Sequence, residues 1–273
     1  MMKNVLVFGA CGMLGYAVSE YFKRNDYCVD SITRKEFDIA KDNIKQIESA
    51  IQNTDVVINC AGVIKSRIDI TPIEDILKVN SIFPRNLAKL CNKYKKFCFH
   101  ITTDCAFSGN RGKYTESDYF DAEDVYGLSK SAGESTDCMV LRTSIIGEEK
   151  ETSRSLLEWV RSNKNGTIDG FTNHLWNGLT TTYLTTVITN ILNLNLYRPG
   201  IFHIFSDKIV NKFELVSMIN EVYNLGISIN KFETSKSCDR SLSSEKDLCE
   251  KVVKKTLRKQ IEEMKRFFEE IKK

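Results

Sequence analysis

The stretch NVLVFGACGMLGYAVSEYFKR, residues 4–24, dominates the architecture predicted for this chain of 273 residues. Its opening run, NVLVF, consists of residue types that favour a buried strand. Gly9, Gly12 and Gly15 follow at once, and residues 16–24 have helical character. A strand, a glycine-rich turn and a helix in this order let helix N-terminal amides face a pyrophosphate. The G-x-x-G-x-x-G spacing is weak evidence alone, but its place after the first strand favours a dinucleotide-binding turn.

Composition indicates an ordinary globular protein, with 42% hydrophobic and 27% charged residues and a net charge of +3. This charge gives no global electrostatic case for binding nucleic acid or an anionic membrane. The nine cysteines include no Cys-x-x-Cys pair, and with only three histidines no zinc-ligand spacing occurs, so we expect no metal site. No signal peptide and no long apolar run are evident. We therefore expect a cytoplasmic protein with reduced thiols.

Strand-like and helical segments alternate from residue 3 to about residue 164. This alternation predicts an α/β fold with a doubly wound, Rossmann-type parallel sheet. We assign residues 1–165 to a nucleotide-binding domain and residues 166–273 to a smaller C-terminal α/β part that binds substrate and interleaves with the first. Within the latter, residues 256–273 carry a single apolar stripe, which predicts a helix packed on its own domain.

Less regular segments give further expectations. Helices are predicted at residues 41–52 and 73–94, the second interrupted near Pro84 because proline lacks a backbone N–H. Residues 170–182, GFTNHLWNGLTTT, are predicted to be an aromatic and amide-rich loop.

The end of the second predicted strand bears on cofactor choice. About 20 positions past the glycines, an acidic residue would hold a ribose 2′-hydroxyl, whereas arginine suits a 2′-phosphate. Arg34 stands there and favours NADPH, with NADH as the alternative. After the third strand, Cys60, Ala61 and Gly62 are small, which lets a flat cofactor approach the backbone.

A second motif lies in residues 100–134, HITTDCAFSGNRGKYTESDYFDAEDVYGLSKSAGE. Tyr126 and Lys130 are four residues apart, so a helix places the phenol and the ammonium on one face. A nearby cation lowers a phenol pKa by roughly 1–3 units. Such a pair can give a proton to a substrate oxygen near neutral pH.

These motifs occur in an order and spacing that resemble the extended short-chain dehydrogenase/reductase superfamily. Within it the chain resembles the dTDP-4-dehydrorhamnose reductase family of sugar-nucleotide reductases, over nearly its whole length. The matching elements are the turn Gly9 to Gly15, which includes Met13 and Leu14, then Asp38-Ile39 beside the adenine, Thr102-Thr103-Asp104 with Phe107, Tyr126 to Lys130 with Gly133-Glu134, and Arg142-Thr143-Ser144.

The resemblance implies a mechanism. NADPH would deliver hydride to the C4 ketone of a 4-keto-6-deoxy sugar linked to dTDP or UDP, in the synthesis of surface polysaccharide precursors. Tyr126 would supply the proton, Lys130 would keep the phenol acidic and hold the nicotinamide ribose, and Thr103 would donate a second hydrogen bond that strengthens as charge develops.

Several residues are candidates for the substrate side, including Asp104 and Cys105. Trp176 can stack on a base or sugar, and His174 and Asn177 can hydrogen-bond hydroxyls or an acetamido group. The alternative is that Trp176 belongs to the core and His174 is a satisfied polar residue. Arg240 suits the sugar-nucleotide diphosphate because a guanidinium binds phosphate in a bidentate manner.

Three alternatives stay open. The family's usual Tyr-Val after Ser-Thr-Asp is Cys105-Ala106 here, and the related GDP-fucose synthases carry an acid/base cysteine at the former position. With a lowered pKa, Cys105 would allow epimerisation before reduction; otherwise it is a small apolar filler. A 4-epimerase with bound NAD is disfavoured by Arg34. A non-catalytic subunit, similar to the regulatory partner of methionine adenosyltransferase, would retain these motifs.

Two further departures fall on the presumed sugar side. Ile145 replaces a common tryptophan, and no proline follows Gly178. The sequence therefore leaves open the nucleotide, the C2 substituent and the product stereochemistry, and it leaves the oligomeric state open too, with a homodimer among the possibilities.

Overall fold

The computed structural model describes residues 4–150 and 154–273. Its strands, numbered along the chain, are β1 (Asn4–Phe8), β2 (Cys28–Ile32), β3 (Val56–Asn59), β4 (Phe97–Thr103), β5 (Met139–Thr143), β6 (Ile145–Ile146), β7 (Thr167–Phe171), β8 (His174–Trp176), β9 (Leu179–Thr180), β10 (Gly200–His203), β11 (Val210–Asn211), β12 (Ser228–Phe232) and β13 (Cys238–Asp239). Its α-helices are α1 (Met13–Arg24), α2 (Glu48–Gln52), α3 (Ile73–Leu77), α4 (Phe83–Lys93), α5 (Val125–Ala132), α6 (Leu156–Ser162), α7 (Thr181–Asn193), α8 (Lys212–Tyr223), α9 (Leu248–Val252) and α10 (Leu257–Ile271).

A parallel sheet of six strands in the order β10–β5–β4–β3–β1–β2 forms the centre of the fold. Chain order runs outward in both directions from β1 and β3, which are direct neighbours, so the sheet is doubly wound as predicted. In such sheets the crevice at the carboxyl ends of the strands, where the order reverses, is the usual ligand site. Here that crevice lies between the ends of β1 and β3, where Phe8 pairs with Asn59.

Two apolar layers cover the sheet. On one face Val7, Phe99 and Leu141 pack against α1 and α7, and on the other Phe8 and Val140 pack against α2 and α4. The inner strands β1, β3, β4 and β5 are buried on both faces, which explains why their sequences are mainly apolar runs rather than alternating patterns.

The C-terminal part contributes to both the sheet and a separate layer. Strand β10 forms one edge of the main sheet, although it lies beyond residue 165. The remaining strands form small sheets, β11–β8–β13, β12–β7 and β6–β9. The division of the chain at residue 165 stays a prediction.

Helix α10 buries the predicted apolar stripe against α6, α8 and the α1 residue Ala17. Leu257, Ile261, Met264 and Phe268 are all buried in this cluster. The expectation that the final helix packs within this chain is therefore confirmed, and its contacts extend to α1 and α6, which precede residue 165.

Other local predictions need correction. The helix predicted at residues 41–52 is a 3-10 turn, Ile44–Ile47, followed by the short α2, because the Asn43 side chain caps the chain at Lys45. The helix predicted at residues 73–94 is interrupted close to Pro84, as expected: a π turn, Lys78–Ile82, separates α3 from α4. The predicted loop at residues 170–182 contains the end of β7, all of β8 and β9, and the start of α7. No helix among the described residues is long and apolar enough to span a membrane.

Candidate active site

The glycine turn after β1 is built by close backbone contacts. Gly9 has φ of +76°, and a Cβ there would lie 2.8 Å from the backbone of Ala61, which follows β3. A Cβ at Gly15 would lie 2.1 Å from the carbonyl oxygen of Gly9. Any side chain at these positions would separate α1 from the turn, so glycine is required to hold the helix against the strand ends.

The N-terminus of α1 faces this turn without a capping side chain. Gly12 is the N-cap residue and provides no side-chain hydrogen bond to the first helical amides. Such amides carry a partial positive charge and are available to an anion. Met13 begins the helix, whereas Leu14 and Gly15 are buried behind the turn.

A cleft of about 630 Å³ opens at this switch point. Its volume falls within the range of about 300–1,000 Å³ that is usual for small-molecule sites. Eight residues predicted to bind the cofactor line it, namely Gly9, Gly12, Arg34, Asp38, Ile39, Cys60, Ala61 and Gly62.

Arg34 reaches the solvent side of the cleft. Its side chain is 67% exposed, and its Nε lies 3.8 Å from Asp38 Oδ1. The Asp38 carboxylate also accepts a hydrogen bond from the amide of Ala40, which fixes the turn. Arg67 lines the same cleft and was not predicted from the sequence, since an arginine in a short 3-10 turn has no distinctive pattern.

Thr103, Tyr126 and Lys130 come together at the carboxyl end of β4. Thr103 is the last residue of β4, and α5 carries the other two. Asp124 caps α5 by accepting a hydrogen bond of 2.7 Å from the amide of Gly127. Lys130 Nζ donates to the carbonyl oxygen of Ile101 at 3.1 Å.

Lys130 also borders the cleft that contains the glycine turn. A Cβ at Gly62 would lie 3.6 Å from Lys130 Nζ. The ammonium therefore lies close to Gly62, which lines the cleft.

The electrostatics of this group differ from the expectation. Burial raises the pKa of Tyr126, Cys105 raises it further, and a hydrogen bond with Thr103 opposes the rise. The prediction that Lys130 lowers this pKa is therefore wrong: burial of the phenol sets the direction of the shift, and Lys130 is not among its largest causes. Burial also lowers the pKa of Lys130 to about 8, against the opposing effects of Glu134 and Cys60.

Asp104 and Cys105 follow Thr103 in a short 3-10 turn. Thr103 Oγ1 donates to Asp104 Oδ1 at 3.1 Å and accepts from the amide of Cys105 at 3.1 Å. Burial raises the pKa of Asp104. Burial and the neighbouring Asp104 raise the pKa of Cys105 to about 12, which is opposite to what an acid/base cysteine needs.

The predicted substrate residues in β8 and directly after it make structural contacts within the protein. Trp176 is only 4% exposed and belongs to the apolar cluster around α8 and α10, which argues against stacking on a ligand. Asn177 uses both ends of its amide on the backbone of Leu242, at 2.8 and 2.9 Å. His174 Nε2 lies 2.9 Å from Thr234 Oγ1. Burial and these partners support the structural alternatives for Trp176 and His174.

Arg240 does approach the candidate catalytic residues. Its Nε donates to the carbonyl oxygen of Phe107 at 2.8 Å, and its titratable neighbours include Cys105, Asp104 and Asp124. The described residues contain no cluster of ligands suited to a metal ion.

Comparison with known proteins supports this assembly of motifs. The family model described as "RmlD substrate binding domain" matches residues 2–271. A dTDP-4-dehydrorhamnose reductase from Mycolicibacterium smegmatis is 26% identical over 223 residues, covering 78% of this chain and 67% of that protein. Methionine adenosyltransferase 2 subunit beta from Xenopus tropicalis is 26% identical over 248 residues, covering 82% of this chain and 73% of that protein.

Solved structures share the fold. The crystal structure of a dTDP-4-dehydrorhamnose reductase from Bacillus anthracis in complex with NADP gives a TM-score of 0.79 at 21% identity, covering 99% of this chain and 100% of that chain. The resemblance derived from the sequence motifs is confirmed by the family match, which spans nearly all of the sequence. The chain belongs to the RmlD substrate binding domain family, within the extended short-chain dehydrogenase/reductase superfamily.

Proposed function

We propose that this protein is an NADPH-dependent oxidoreductase that reduces the C4 ketone of a nucleotide-linked 4-keto-6-deoxy sugar. The sugar would be dTDP- or UDP-linked, of the rhamnose or 2-acetamido-2,6-dideoxy-hexose type, and would serve surface glycan synthesis. The observation that carries the proposal is the meeting of Thr103, Tyr126 and Lys130 beside the cleft of the glycine turn. Several relatives are named as reductases of this kind.

The cleft fits a nicotinamide dinucleotide. A side chain at Gly9 or Gly15 would fill the cradle, and Gly12 leaves the α1 amides open to a pyrophosphate. Arg34 would hold the 2′-phosphate, Asp38 and Ile39 would border the adenine, and residues 60–62 would line the nicotinamide side. When bound, NADPH supplies the hydride.

The residues of the chain provide the proton and the charge stabilisation. The raised pKa of Tyr126 keeps the phenol protonated at neutral pH, so its O–H can donate to the ketone oxygen as negative charge develops. Lys130, one helical turn further along α5, is mainly protonated at pH 7 because its pKa is about 8. Its positive charge would stabilise the phenolate as the proton is transferred.

Thr103 has one hydroxyl proton, for which the Asp104 carboxylate and the ketone oxygen of the substrate would compete. In the structure it donates to Asp104, and donation to the ketone oxygen requires rotation away from that carboxylate. The hydrogen bond that Thr103 accepts from Cys105 can persist during this rotation and keeps the oxygen in place.

The test is oxidation of NADPH with 4-keto-6-deoxy sugar nucleotides that differ in base and C2 group. The wild-type protein should consume one NADPH per sugar reduced, and Tyr126→Phe should abolish turnover while still binding NADPH. A wild-type protein that reduces none of these substrates would refute the proposal.

A regulatory subunit is the second candidate, favoured by the similarity to methionine adenosyltransferase 2 subunit beta. It predicts tight binding to another protein with no reductase activity, and Tyr126→Phe would then leave that binding unchanged. An epimerase that uses Cys105 is disfavoured by the raised pKa of its thiol. Homodimer formation stays a prediction.

A further inference from the structure

The turn after β3, residues 60–62, lines the cleft that contains the glycine turn, and its backbone is fixed at both ends. At its start, the amide of Cys60 donates to the carbonyl oxygen of Phe8 at 3.1 Å. Just past its end, both backbone groups of Val63 bond to the side chain of Asn80, at 2.8 and 3.0 Å. The middle of the turn depends on a third contact.

That contact comes from Asn59, the last residue of β3. Its Oδ1 accepts a hydrogen bond from the amide of Ala61 at 3.1 Å. The place of Ala61 matters for the cleft, because a Cβ at Gly9 would lie only 2.8 Å from the Ala61 backbone. A displaced Ala61 would therefore alter the contact between the two turns that border the cleft.

His100 holds Asn59 in this orientation. It pairs with Asn59 in the register of β3 and β4, and the two residues are 1% and 0% exposed. Because the Ala61 amide takes the oxygen of Asn59, the amide nitrogen faces His100, and Nδ2 lies 3.2 Å from the imidazole Nδ1. An amide nitrogen only donates, so Nδ1 accepts. His100 is therefore neutral, with its proton on Nε2.

The surroundings favour this neutral form. Burial lowers the pKa of His100 well below its ordinary value of 6.5, and Lys130 lowers it further. Among the described residues, Nε2 has no hydrogen-bond partner, so the bond to Asn59 is what the ring contributes in polar contacts. A buried N–H without an acceptor is costly, which points to the Nδ1 contact as the reason for a histidine at this position.

We propose that His100 is a positioning residue for the nicotinamide dinucleotide: through Asn59 it holds the Ala61 amide, and with it one wall of the cleft, where the cofactor requires it. His100 itself does not line the cleft, so it acts without touching the cofactor. The inference rests on the part of the proposed function that places a nicotinamide dinucleotide in the cleft, and it needs no particular sugar substrate.

Fluorescence titration with NADPH and NADH tests this role without any turnover. His100→Leu keeps a bulky side chain and removes the acceptor, whereas His100→Asn retains an acceptor close to the backbone, where Nδ1 lies. The control is Cys98→Ala, which removes a buried thiol from the same face of β4 and leaves Asn59 untouched. Urea unfolding of each variant measures the stability that it has lost.

We expect His100→Leu to bind NADPH and NADH about tenfold more weakly, to an equal extent, since one buried hydrogen bond away from the 2′-phosphate is lost. His100→Asn should recover most of the affinity. Cys98→Ala should match the wild type in affinity at a comparable loss of stability. Hydrogen exchange followed by mass spectrometry should be faster around Ala61 in His100→Leu alone. Wild-type affinity in His100→Leu overturns the inference, as does an equal loss of affinity in Cys98→Ala.

The wild-type protein provides a test that depends on no variant. The chain has only three histidines, so nitrogen NMR can resolve their rings. At pH 7 His100 should show a protonated Nε2 and an unprotonated Nδ1, and the opposite tautomer overturns the inference. Failure of the proposed function gives a different pattern: a protein that binds both cofactors through His100 but reduces no 4-keto sugar nucleotide loses the reductase assignment and keeps this role.

Discussion

The buried ion pair between Glu134 and Arg142, next to helix α5, gives the sharpest prediction of stability. Glu134 lies just past the end of α5, and Arg142 lies on β5, with side chains only 2% and 1% exposed. Arg142 Nε donates to Glu134 Oε1 at 3.0 Å, and Nη2 donates to Oε2 at 2.6 Å. Its Nη1 lies 2.6 Å from His203 Nε2. The guanidinium also lies over the ring of Phe107, 5.2 Å from its centre.

Removing one partner should be costly because the other charge stays buried without compensation. Arg142→Met and Glu134→Gln should each lower the free energy of unfolding by about 3–5 kcal/mol. That is a large part of the total of about 5–15 kcal/mol expected for a folded domain. The double variant removes both charges, so its cost should be smaller than the sum by about 2–3 kcal/mol.

Urea unfolding followed by circular dichroism measures all four members of this cycle at pH 7. The exposed pair Arg24–Glu270 is a matched control, since its side chains are 37% and 63% exposed at a distance of 3.1 Å. Its coupling should be about 0–1 kcal/mol. Single variants within 1 kcal/mol of the wild type, or additive effects in the double variant, would refute the reasoning about the buried pair.

Three further predictions follow from the site. Arg34→Ala should weaken NADPH binding by about tenfold or more and leave NADH binding little changed, as measured by fluorescence titration; equal losses for both would contradict the 2′-phosphate assignment. Because burial raises the pKa of Cys105 to about 12, iodoacetamide should label it far more slowly than the exposed Cys11. For the same reason, turnover in deuterated water should place no solvent deuterium at C3 or C5 of the product. Deuterium at either carbon would support the epimerase alternative. The pKa of Lys130 is about 8 in the folded protein, below its ordinary value of 10.5. Between pH 8 and 10.5 the unfolded chain therefore binds more protons than the folded protein, so the free energy of unfolding should rise with pH across that window. Lys130→Met should lack this component of the rise in urea titrations, and an identical pH dependence would argue against a buried ammonium.

The sequence alone predicted the parts of the fold that depend on local patterns. Gly9 and Gly15 predicted a tight turn with no room for a side chain at either position. Apolar runs predicted the inner strands, which are buried on both faces. The spacing of Tyr126 and Lys130 predicted one helical face, because a helix repeats every 3.6 residues wherever it lies. The turn, the strands and the shared helical face each depend on residues that lie close together in the sequence.

Tertiary structure decided the properties that depend on distant parts of the chain. The pKa of Tyr126 rises because burial by neighbouring elements removes hydration, and the spacing to Lys130 carries no information about that burial. Trp176 looked like a ligand platform in its local sequence, yet helices α8 and α10 enclose it. His100 had no predicted role at all, and only the pairing of β4 with β3 brings it to Asn59. Burial and electrostatic fields are sums over residues far apart in sequence, which is why only the folded chain determines them.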